Sequence, residues 1–150
     1  GADTINGGAG ADTIDSETGL VIVTGGAGND TFVINANTSQ WLYATIQDAA
    51  NGDILSAAAD QGTETDGGQI SLGANATFGD YITEATNTDA AAHGNWSWFT
   101  FGSNTYVVQD NSADLVYDAG VDIVVELVGV LDLSQWTVNG QTVTLDVDGA

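Results

Sequence analysis

The chain has no cysteine and no methionine. No disulfide framework is therefore available, and a secreted chain built this way needs another staple, which a bound metal can supply. Lysine and arginine are also absent, against 21 aspartates and glutamates, for a formal charge of −21 at pH 7. Nucleic acid and anionic membrane surfaces are bound through positive charge, so both are excluded as natural partners. No apolar run approaches the ~18 residues of a membrane-spanning helix, and no basic-then-apolar leader is seen. With no basic side chain to neutralise it, the folded state repels itself unless cations come from solution.

What is present argues against the disorder that strong acidity often signals. Hydrophobic residues make up 43% of the chain and charged residues only 14%, with four each of Trp, Tyr and Phe. At 150 residues this is enough for one core. An acidic, apolar-rich chain reads as a folded object that expects cations.

Residues 7–15, GGAGADTID, and 25–33, GGAGNDTFV, repeat one nine-residue phrase at an offset of 18. Each fits G-G-x-G-x-D-x-U-x, with U a large apolar residue: Gly7, Gly8, Gly10, Asp12 and Ile14, then Gly25, Gly26, Gly28, Asp30 and Phe32. The opening GADTIN carries Asp3 and Ile5, the tail of another copy, so the chain reads as the C-terminal part of something longer. Residues 16–24, SETGLVIVT, keep the length but lose the glycine pair and the aspartate. Glycine permits positive φ and close approach of backbone to an ion, and aspartate and turn carbonyls supply hard oxygens. Oxygen donors without nitrogen or sulfur describe Ca²⁺ rather than zinc or copper.

The phrase resembles the RTX (repeats-in-toxin) calcium-binding β-roll of proteins exported by bacterial type I secretion. The resemblance implies an all-β fold, a parallel β-roll continuing into a β-rich C-terminal capping region. Two nonapeptides make one coil, so turn 7–12 stacks on turn 25–30. It implies one Ca²⁺ held by Asp12 and Asp30 with carbonyls of Gly7, Ala9, Gly26 and Gly28. On the opposite edge the degenerate 16–24 lacks its aspartate, so that edge is expected to be weak or empty, with Glu17 as a substitute.

Three segments are expected: the nonapeptide roll over 1–34, its continuation with loops and a short helix over 35–94, and the β-rich cap over 95–150. Residues 45–59 read as strand, turn at Asn51-Gly52-Asp53, then a short apolar step, with Asp48 and Asp53 as turn formers. A short helix is expected from Tyr81 to His93. NWSWFTFGSNTYVVQD reads as a hairpin with Trp96, Trp98 and Thr100 on one face and Phe99 and Phe101 on the other. The tryptophans either cap the open roll or form a sugar-stacking face, and capping is preferred because a bare solenoid end aggregates.

Residues 104–134 resemble the C-terminal block of alphaproteobacterial RTX proteins, including surface-layer and secreted forms. Tyr106, Val108, Asp110, Gly120, Asp122, Val124, Glu126, Val128, Gly129, Asp132, Leu133 and Ser134 sit in that frame. Such regions carry an uncleaved export signal in that family. No HExxH helix, GxSxG elbow or base beside a nucleophile occurs, so no enzyme is expected. The resemblance points to a secreted calcium-binding structural or assembly protein, extracellular or on the bacterial surface. Its expected partners are its own copies and, during export, a type I exporter. The alternatives are the export and folding domain of a larger secreted enzyme, or a carbohydrate-binding adhesion module.

Overall fold

The computed structural model describes residues 2–58, 65–87, 94–112 and 114–150. The apolar ends of the nonapeptides become strands, and numbered in chain order the elements are β1 Asp3–Ala9, β2 Thr13–Asp15, β3 Val21–Ala27, β4 Thr31–Ile34, β5 Ala44–Ile46, β6 Ile54–Ala57, β7 Asp66–Gln69, α1 Phe78–Ala85, β8 Asn95–Phe101, β9 Asn104–Asp110, β10 Ile123–Leu127, β11 Thr137–Asn139 and β12 Thr142–Thr144. They form two sheets, one in the order β1-β3-β5-β10-β9-β8-β7 and one in the order β11-β12-β6-β4-β2.

The roll is the stack of three coils, β1 with β2, β3 with β4, and β5 with β6. Its pairing is parallel, with Ile5 against Val23 in one sheet and Ile14 against Phe32 in the other. The third coil stacks at a longer offset, Val23 against Ile46 and Phe32 against Leu55. From Val23 to Asp30 and from Ile46 to Asp53 the chain advances by the same seven residues, which the paired registers require. The extra residues therefore fall between Ile34 and Ala44, on the edge away from the glycine turns. Asn37 ties that insertion down: its amide donates to Leu42 O at 2.9 Å, its Oδ1 accepts from Val124 N–H, and its carbonyl accepts from Gly120 N–H.

Inward side chains follow the period of two expected of strands packed on one face. Ile14, Val21, Val23, Phe32, Ile34, Ile46 and Leu55 fill the space between the sheets. The C-terminal strands then continue both sheets past the third coil. β10 joins β5 in parallel and leads antiparallel to β9 and β8, while β12 joins β6 antiparallel. Closing both sheets in this way covers strand edges that would otherwise template aggregation.

The expected hairpin is present, with Trp96 facing Gln109 and Phe99 facing Tyr106. Its two faces are both buried, in different cores. Trp96 and Trp98 enter the roll interior, whereas Phe99, Tyr106 and Val108 pack beneath α1 with Phe78 and Ile82. The capping reading of the tryptophans thus matches their positions. A sugar-stacking face on Trp96 and Trp98 is corrected, since these rings are 0% and 2% exposed.

The helix differs from expectation at its start. It begins at Phe78 because Thr77 and Asp80 form a capping box: Thr77 Oγ1 accepts from Asp80 N–H, and Asp80 Oδ2 accepts from Thr77 N–H at 2.7 Å. Phe78, Ile82 and Ala85 give the buried stripe. It ends at Ala85, and the expected continuation over 88–93 lies outside the described residues.

Trp96→Ala should cost about 3–5 kcal/mol, the usual loss for emptying a fully buried aromatic site. Trp41→Ala, at a ring 56% exposed that still packs on Phe78, should cost less, about 0.5–1.5 kcal/mol. Urea unfolding in excess Ca²⁺ measures both.

Candidate metal centre

Turns 7–12, 25–30 and 48–53 lie one above another on a single edge, because the strands before and after each turn are in register. The stacking is close enough to demand glycine. Gly26 and Gly28 have φ of +106° and +136°, and a Cβ on either would collide with the carbonyl oxygen of Gly8 or Gly10. At Gly7 a Cβ would lie 2.6 Å from Gly25 O and 2.9 Å from Asp12 Oδ2. The carbonyls of Gly8 and Gly10 thus pack on the second turn and that of Gly25 on the first. Ala9 pairs with Ala27, whose carbonyl accepts from Gly10 N–H at 2.7 Å. All six residues expected at the metal, Gly7, Ala9, Asp12, Gly26, Gly28 and Asp30, fall within this pair of turns.

A column of aspartates runs down the same edge. Asp30 Oδ1 accepts from Asp12 N–H at 2.9 Å, and Asp53 Oδ1 accepts from Asp30 N–H at 2.9 Å. Each carboxylate so caps a main-chain donor of the turn above. The remaining oxygens differ. Asp53 Oδ2 accepts from Ala50 N–H at 2.9 Å, and Asp48 accepts from Gly25 and Gly26 N–H at 2.9 Å each. Asp48 and Asp53 are therefore used up in holding backbone, as expected of turn formers. Burial, chiefly, pushes the Asp53 carboxyl above its ordinary value.

Asp12 Oδ2 and Asp30 Oδ2 are buried and have no hydrogen-bond partner. A buried anionic oxygen without a donor costs several kcal/mol in water-excluded surroundings unless a cation meets it. Asp30 is only 1% exposed, and the chain offers no ammonium or guanidinium to serve. A Cβ on Gly25 would strike Asp30 Oδ2 and the Phe32 ring, so glycine there makes room for the carboxylate itself. Two orphaned carboxylate oxygens, with the Gly25 carbonyl packed against Gly7 beside Asp12 Oδ2, fit a hard divalent ion. Among the described residues no three acidic or imidazole side chains converge, so carbonyls must complete the donor set.

The family model of the RTX calcium-binding nonapeptide repeat matches residues 1–20 and 17–33. Residues 1–33 carry RTX calcium-binding repeats. Calcium is the ion such repeats bind, and donors that are all oxygens agree with it. No curated protein matches the chain. When bound, Ca²⁺ would supply the positive charge that meets the buried Oδ2 oxygens of Asp12 and Asp30.

Glu17, the expected substitute on the opposite edge, is exposed at φ 50°, with its N–H donating to Asp15 Oδ1 at 2.8 Å. Asp53 was missed as a member of the aspartate column. Its signal was Asp53-Ile54-Leu55-Ser56, the same Asp-x-U-x order as Asp30-Thr31-Phe32-Val33.

Asp30→Asn should lower Ca²⁺ affinity at least ~10-fold in calorimetric titration, since a neutral amide replaces one of two charged donors. Asp48→Asn should leave the affinity within ~3-fold but cost about 1 kcal/mol of stability through its lost charge-assisted bonds.

Proposed function

We propose that this chain is a secreted calcium-binding structural protein that folds on meeting extracellular Ca²⁺ and assembles with copies of itself at or beyond the bacterial surface. RTX repeats imply calcium binding and export from a bacterium, and the finer roles of assembly and surface location are our reading. The observation that carries it is the conjunction of a −21 charge, no lysine or arginine, and two buried aspartate oxygens without a hydrogen-bond partner. In a cell interior poor in Ca²⁺, that repulsion favours an open chain able to thread a type I exporter. Outside, an ion that binds only the folded turns stabilises them by RT ln(1 + [L]/Kd), ~4 kcal/mol at a thousandfold excess over Kd. That is a large share of a small domain's stability.

Apolar surface supports the assembly role. Leu20 and Ile22 are 47% and 42% exposed beside a cleft of about 250 Å³ that Ala2, Val21, Tyr43 and Thr45 complete. Trp41 and Val130 add apolar surface at 56% and 69% exposure. The proposal gives the chain no catalytic step. A role as the folding domain of a larger exported enzyme shares the same calcium logic, and a zinc or hydrolase motif upstream would favour it. No sugar platform on Trp96 and Trp98 remains.

Circular dichroism in excess chelator should lose the β signal, and sedimentation in millimolar Ca²⁺ should show concentration-dependent oligomers. An unchanged spectrum contradicts the folding switch. A monomer at every concentration contradicts assembly.

A further inference from the structure

A second cluster of carboxylates lies where β9 ends and β10 begins, far in sequence from the nonapeptides. Asp110, Asn111 and Asp122 are 1%, 5% and 0% exposed. Ser112 N–H donates to both Asp110 Oδ1, at 3.1 Å, and Asp122 Oδ1, at 3.2 Å. Two buried carboxylates thus meet on one donor. Asp122 is well partnered: Oδ1 also accepts from Asn111 N–H at 2.8 Å, and Oδ2 accepts from Asp118 N–H at 2.6 Å.

Asp110 is not. Its Oδ2 is buried without any hydrogen-bond partner, and the side-chain oxygen of the neighbouring Asn111 is in the same state. The Asn111 amide is oriented by its own donors, which reach Gln109 Oε1 at 3.2 Å and Val121 O at 3.0 Å. Burial, then the charge of Asp122, pushes the Asp110 carboxyl up to about 7. A cation between the two carboxylates would meet Asp110 Oδ2 and the Asp122 charge, with Asn111 Oδ1 as a further donor; the chain has no lysine or arginine to supply one, and its one histidine, His93, lies outside the described residues.

We infer that Asp110, Asn111 and Asp122 form a second site for a hard divalent cation of the calcium class, distinct from the nonapeptide turns. The donors are oxygens of carboxylate and amide, which suits Ca²⁺ and not a thiolate- or imidazole-seeking metal. Two carboxylates, not three, provide the charge; Asp114, exposed, is linked only through Ser112 Oγ at 3.2 Å. A cleft of about 400 Å³ lined by Asn111, Gly120, Val121 and Ile123 opens on the Asn111 side of the cluster. An ion there would tie the end of β9 to the start of β10, the strand that joins the hairpin to the roll. The same signal from solution would then set both the repeat turns and the closure of the roll.

Native mass spectrometry of the full chain in saturating Ca²⁺ tests this. Asp110→Asn should carry one ion fewer than the wild type, and Asn111→Ala should bind that ion at least ~10-fold more weakly. Asp12→Asn should lose a different ion and keep the one at Asp110, so failure of the repeat site and of this site are separable. If Asp110→Asn does not fold, the neutral Asn111→Ala decides. Wild-type ion counts and affinities in both Asp110→Asn and Asn111→Ala overturn the inference.

Discussion

The structure depends on one contact repeated down one edge: an aspartate of each coil accepting the main-chain N–H of the aspartate in the coil above. Asp30 serves Asp12 and Asp53 serves Asp30 at the same 2.9 Å. That contact sets the registers of the parallel strands on either side, and it draws carboxylates into buried positions where they repel one another. The glycines make the approach sterically allowed, and the orphaned Oδ2 atoms make it unfavourable without an ion. Fold and metal are therefore two sides of one constraint.

The tolerance of the two edges follows. The calcium edge keeps seven residues from inward strand residue to aspartate in each coil, because any change would break the N–H to carboxylate contact. The opposite edge has no such contact among the described residues and absorbs the insertion carrying Asn37 and Trp41. That insertion is put to use in packing: the Trp41 ring lies 5.1 Å from Phe78 of α1. Beyond the third coil the pattern gives way to antiparallel strands, and hydrophobic burial around Trp96, Trp98, Trp136 and Leu145 adds cohesion that the repeat turns do not supply.

Much of the roll was legible in the sequence, since an offset of 18 between two copies of one template dictates both pairing and turn stacking. The hairpin of β8 and β9 was legible too, from its alternating aromatics. The third coil was harder, because its longer offset hides Asp53 from a nine-residue template even though Asp-Ile-Leu-Ser keeps the local order. The helix start was carried by Thr77 and Asp80, a capping signal easily lost beside the alanine-rich stretch that follows. That β10 pairs with β5 and β12 with β6 had no local signature, since those contacts join segments more than 80 residues apart. The burial of Asp110 and Asp122 depends on that closure, so their composition alone could not distinguish them from solvated turn residues.

The central claim is that Ca²⁺ sits between turns 7–12 and 25–30 against Asp12 Oδ2 and Asp30 Oδ2. Anomalous diffraction from crystals grown in Ca²⁺ measures this directly. The account predicts a calcium peak within ~2.3–2.6 Å of both oxygens. Density showing those two oxygens hydrated, with no anomalous peak between the turns, would contradict it.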